Sequence, residues 1–154
     1  MWELTSSARP ELDLGTVDAF VEHAEQLAEM GDFDAALRLL QTAQAQAATP
    51  SERSRAQMEL GAMTARSGAL AQALVMLQDA ERSAQEAGQT VLALEAKLHH
   101  CSVLGAMGHM VRVLPALREV VGLLGTVAGG TELLEHAQAE LASFQTFVAT
   151  SGEG

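Results

Sequence analysis

One pattern recurs three times along this chain, each time with a glycine followed at fixed offsets by small and apolar residues. Gly31 precedes Ala36, Leu37, Leu40 and Ala43; Gly68 precedes Ala73, Leu74, Leu77 and Ala80; Gly108 precedes Val113, Leu114, Leu117 and Val120. The interval is 37 residues from Gly31 to Gly68 and 40 from Gly68 to Gly108, so unit length drifts while internal spacing holds. Apolar positions every three or four residues form the stripe of an amphipathic helix. A second stripe lies upstream of each glycine: Phe20, His23, Ala24 and Leu27; Leu60 and Gly61; His100, Cys101 and Leu104. Ala24, Gly61 and Cys101 stand at one distance from their glycines, and a small residue there lets two helices approach closely. The unit is therefore helix, glycine turn, helix.

Composition agrees with an all-helical chain. Hydrophobic residues make up 48% but aromatics only 3% and Tyr is absent, so the apolar share rests on Ala, Leu, Val and Met. Strand formers are too sparse to build a sheet. A length of 154 residues suits one domain.

Helix boundaries can be read from end signals. Thr49-Pro50-Ser51-Glu52 combines an N-cap, a proline at the first helical position and a glutamate three residues after the cap. Asp32 is suited to cap the second helix and Thr90 the fifth, while Gly88 ends the fourth. Pro115 removes a backbone donor inside the sixth, which predicts a kink or a late start. Gly129-Gly130-Thr131 opens a seventh helix with Leu134, Ala137, Leu141, Phe144 and Val148 on one face.

Gly31-Asp32-Phe33-Asp34-Ala35-Ala36-Leu37, closing at Pro50, resembles the turn and second helix of a tetratricopeptide repeat. Gly61 and Ala73 stand at the family's small-residue positions in the second unit. The resemblance covers residues 17 to 125. It departs from the family in its longer units, in a first-helix aromatic kept only as Phe20, and in Val113 and Val120 where alanine is usual. The resemblance implies a right-handed superhelical TPR-like solenoid of three helix hairpins, with repeats at about 17–50, 51–88 and 90–125. The helix at 131–149 would cap its open end. The expected domain runs over 16–150, between loose segments at 1–15 and 151–154.

By the family's pattern, the first helix of each hairpin lines the concave groove. That puts there Asp18, Glu22, Glu25 and Glu29, then Arg55, Met58, Glu59, Ala62 and Arg66, then Glu95, Leu98, His99 and Ser102. The four acids of the first helix are spaced to share one face. They are either a docking surface or a solvated face partly neutralised by Arg55 and Arg66. The basic and amide clamp by which some relatives grip a C-terminal carboxylate has no counterpart here.

Charge narrows the partners. The net charge is −11, from 20 acids against 9 bases, and there is no basic stripe for nucleic acid or an anionic membrane. A protein partner with a basic or apolar peptide or helix is the expected match, or a second copy of the chain. A bacterial secretion-type chaperone is a further alternative, similar in size, acidity and repeat number but lacking that group's aromatics. His99-His100-Cys101 offers metal-ligand chemistry, but neighbours on a helix point about 100° apart, so a site would need His23, His109 or His136 brought near by the fold, and packing is the favoured role. Met30, Met58, Met63, Met76, Met107 and Met110 fit core positions better than an adaptable binding surface. With no phosphate loop and no nucleophile–base pair, neither an enzyme nor a cofactor is expected. A lone cysteine, no apolar run of membrane length and no signal-like start suit a cytoplasmic protein; many Ala and Gly, with eight Arg to one Lys, suit a bacterial one.

Overall fold

The computed structural model describes the backbone of residues 9–151 and the side-chain surroundings of residues 17–151. Seven α-helices and no strand occupy the described residues: α1 (Arg9–Glu29), α2 (Phe33–Gln46), α3 (Pro50–Arg66), α4 (Leu70–Glu86), α5 (Thr90–Ala106), α6 (Met110–Leu124) and α7 (Thr131–Ser151). Helix α1 begins at Arg9, so the segment expected to be loose up to residue 15 is helical in its second half. Residues 1–8 and 152–154 lie outside the described residues, and α7 extends to Ser151.

Four of the turns are one structure repeated. At Gly68, φ is +100°, a conformation that glycine adopts without penalty. There the Gly68 N–H donates to the Ala65 carbonyl and the Ala69 N–H reaches back to Thr64, at 3.0 and 3.2 Å. This is the Schellman closure, which satisfies carbonyls the ending helix leaves free. The turns at Gly31, Gly88 and Gly108 repeat both bonds. The link from α2 to α3 is made differently. The Thr49 side chain accepts from the Glu52 N–H, and Glu52 accepts in return from the Thr49 N–H, each at 3.1 Å. Asp32 caps α2 by accepting from the Ala35 N–H at 3.1 Å. Thr90 does not cap α5: it is the first residue of the helix, and the preceding Gln89 makes no side-chain capping bond. Helix α6 starts at Met110, well before Pro115, which excludes a late start. Pro115 and Val111 are both exposed, so water can meet the carbonyl that the proline leaves without a donor.

Each helix packs on its neighbours in the chain, and α1, α3, α5 and α7 also touch one another in that order. The repeated offsets predict burial well. Ala36, Leu40 and Ala43 of α2, Ala73, Leu77 and Ala80 of α4, and Val113, Leu117 and Val120 of α6 are all buried. Leu37, Leu74 and Leu114 pack beside them, partly covered. A fully buried leucine contributes about 2 kcal/mol, and the same leucine recurs in three helix pairs. Upstream, Ala24, Gly61 and Cys101 are buried. A Cβ on Gly61 would lie 2.9 Å from the Leu77 Cδ2 atom, so the small residue does set the approach of α3 to α4. His23, paired with His100 by the repeat, is exposed, and His100 is only half-covered. The packing role at this point belongs to Ala24 and Cys101 alone. Of α7's predicted stripe, Ala137, Phe144 and Val148 are buried and Leu134 and Leu141 pack partly covered against the core.

Candidate functional site

The odd-numbered helices carry most of the charge and chemistry singled out by the sequence, and the structure divides those residues into three groups. On α1, Asp18, Glu22 and Glu29 are exposed and Glu25 is half-covered. Two of these acids meet cations from α3. Arg55 pairs with Asp18 at 3.1 Å and Arg66 with Glu25 at 2.5 Å. Arg55 also holds Glu59 of its own helix at 3.1 Å. The acidic face of α1 is therefore partly neutralised by the next hairpin. Glu22 and Glu29 make no ion pair among the described residues.

Met58 is not on this face, and Leu98 reaches it only as part of a cavity lining. Met58 is 0% and Leu98 1% exposed, and each sits in the apolar core. Helix α3 touches α1, α2, α4 and α5, and α5 touches α3, α4, α6 and α7. A helix enclosed on so many sides buries positions around most of its circumference; Met58 falls on a covered side, and Leu98 lies in the core beneath a cavity between α5 and α7.

Further along, α5 presents Glu95, His99 and Ser102, with Ala62 and Arg66 of α3 on one side and α7 on the other. His99 stands between two cavities. One, of about 400 Å³, opens between α5 and α7 and is lined by Glu95, His99, Glu132 and His136 above Leu98 and Leu133. The other, of about 260 Å³, lies between α3 and α5; Ala62, Ala65, Leu70 and Val103 form its apolar lining, with Arg66 and Ser102 beside them. Ser102 donates to Glu140 of α7 and also reaches the Leu98 carbonyl. His136, one of the histidines that could have joined His99 in a metal site, is the one the fold brings beside it; Glu132 and Glu140 were not singled out by the sequence. Their signal is only that α7 places them one helical turn to either side of His136.

Burial decides the electrostatics here. Removal from water pushes the Glu59 carboxyl above its usual range, against the pull of Arg55. Glu95 is raised by burial and then by the nearby Glu59 charge. His99 is held below the ordinary imidazole value by burial and then by His136. His99 and Glu95 are 3.9 Å apart, too far for a hydrogen bond. Burial also lowers His100, with Lys97 adding to it. The Cys101 thiol is pushed up to about 11, chiefly by burial, so it is neither a nucleophile nor a ready metal ligand at neutral pH. Among the described residues no three His, Cys, Asp or Glu side chains gather closely enough to hold a metal ion.

No family model, no curated protein and no solved structure matches this chain.

Proposed function

We propose that the chain is a non-catalytic interaction module, a TPR-like superhelical solenoid of three hairpins capped by α7, whose concave groove receives a peptide or helix of another protein. The observation that carries this reading is the ordered contact of α1, α3, α5 and α7. Contact in that order is what a groove face shared by four helices requires, and exposed or half-covered polar groups and two cavities lie along these helices. The Schellman turns at Gly31, Gly68 and Gly108 support repeating hairpins, because identical turns give the two helices of each pair the same relation. The excess of acids favours a basic or apolar partner segment. No described helix is long and apolar enough to cross a membrane, in keeping with a proposed cytoplasmic setting.

The test is affinity capture of the partner from the native cell with the full chain, repeated with Glu22→Gln/Glu29→Gln. These two substitutions leave both cross-helix ion pairs intact. Binding should weaken, and its dependence on salt should shrink. A partner retained equally at every salt concentration removes the acidic face from the groove. Self-association is a second reading, favoured by Leu123 of α6 and Phe147 of α7, which are 44% and 49% exposed near one end of the molecule. Light scattering that gives a monomer mass at all concentrations eliminates it.

A further inference from the structure

Of the two acids bordering the cavities, Glu95 is the more covered. It is half-covered by α5 and its neighbours, and Glu59 lies close enough to raise its energy. The nearest arginine, Arg55, is already engaged by Asp18 and Glu59. Two imidazoles border the same cavity: His99, at 3.9 Å and beyond hydrogen-bond reach, and His136 of α7, which offsets only a small part of the Glu95 charge. Across the cavity, Glu132 adds a second carboxylate, and Leu98 and Leu133 supply an apolar floor. An anion is repelled here. A metal ion finds no converging ligands among the described residues. An organic cation on an alkyl stem satisfies both parts, its charge at Glu95 and Glu132 and its methylenes on the leucines. The second cavity begins on the other side of the His99 ring and is lined largely by alanine, leucine and valine carbon.

We propose that the partner segment places a Lys or Arg side chain in the α5–α7 cavity and an apolar side chain in the α3–α5 cavity at once, with His99 as the wall between them. This rests on the groove reading and gives it a specificity. Because one side chain separates the cavities, the two ligand residues must be near neighbours on one face of the segment. That means three or four positions apart on a helix, or two apart on an extended strand. A lone charge in water gains little from a surface carboxylate. A cation that covers Glu95 is worth more, because it relieves a desolvated carboxylate as well as forming a charge-assisted hydrogen bond.

The experiment selects a random twelve-residue peptide library, displayed on phage, against the immobilised full chain. Recovered sequences should couple Lys or Arg with Leu, Met, Ile or Phe at one of those spacings. A synthetic peptide from the set should bind about tenfold more weakly when its Lys or Arg becomes Gln, as read by fluorescence anisotropy. Against Glu95→Gln/Glu132→Gln the cation preference should vanish while the apolar one stays. Against Ala62→Leu, which fills the second cavity, the reverse should hold, with thermal melts confirming that both variants are folded. Peptides enriched without the coupled pair, or with the same pair on both variants, overturn the proposal and leave the groove intact. Recovery of no peptide at all overturns the groove itself.

Discussion

Helix α1 rests on α3 as α7 rests on α5, the same relation at opposite ends of the stack, yet different forces hold the two contacts. At the first end, the contact is bridged by the Asp18–Arg55 and Glu25–Arg66 ion pairs, whose side chains all remain open to solvent in substantial part. The apolar groups that α1 buries fully are small, Val17, Ala24 and Ala28, with Val21 and Leu27 packed partly covered beside them. At the other end, the Phe144 ring of α7 is inserted against Gly105 of α5, and a Cβ on that glycine would come within 2.6 Å of the Phe144 Cε2 atom. Exposed ion pairs are each worth about 1 kcal/mol or less, whereas a buried phenylalanine is worth about 3 kcal/mol or more to the fold. The first end is the one that opens more readily, and the second is fixed by shape.

The largest effect that tests this contrast is expected at Gly105. Gly105→Ala gains up to about 1 kcal/mol of helix propensity but drives a methyl group into the face of a buried ring. Overpacking of this kind costs about 1–3 kcal/mol, and a rigid ring cannot yield as a leucine end can. A net loss of about 2 kcal/mol in urea unfolding is expected, and Phe144→Leu in the same chain should recover part of it. If Gly105→Ala is as stable as the parent, α7 is not held by this contact and the comparison fails.

Gly105 also marks a limit of what sequence alone conveys here. The turn glycines were visible because a local rule, positive φ at a helix end, fixes their role. The buried offsets of α2, α4 and α6 were visible because a helix covered mainly on one side keeps a single stripe. The Thr49–Glu52 capping box is local too, and it formed as read. Gly105 sits in mid-helix with no such mark. Its meaning depends on which aromatic of a helix some forty residues away reaches it. Met58 and Leu98 were placed on the binding face for a related reason. One helical turn separates each from a true surface position, Ala62 and Ser102, but α3 and α5 are covered by four helices each, so no one-sided stripe distinguishes in from out. The acidic run of α1 was plain in the sequence, as was its possible neutralisation by Arg55 and Arg66. The cavity on α5 was half visible, since Glu95, His99 and, as a conditional metal partner, His136 were named but Glu132 and Glu140 of α7 were not.

A smaller effect belongs to the other end. Arg66→Ala removes the partner of Glu25 and leaves the core untouched. The expected cost is about 0.5 kcal/mol at low salt, fading toward zero at 1 M salt as screening weakens the pair that was lost. A cost as large as that of Gly105→Ala, or one indifferent to salt, would mean that α1 is held by something other than charge.

The smallest effect separates the two ends by pH. Glu95 has a folded pKa above 4.5, so near that window the folded chain carries more protons than the unfolded one, and stability falls as pH rises through it. His99 has a folded pKa below 6.5, so the unfolded chain carries more protons there, and stability is lost as pH falls from 6.5 toward the folded value. Glu95→Gln should therefore unfold at slightly higher urea than the parent at pH 7, with the advantage shrinking as pH falls and gone below 4.5. His99→Gln should flatten the loss of stability that the parent shows on going below pH 6.5. Arg66→Ala should leave both slopes as they are, because its ion pair is with Glu25 of α1 and it is not among the charges that act on Glu95 or His99. If it moves either slope, the two ends are coupled through α3, and the contrast between a charged end and a packed one no longer describes two independent contacts.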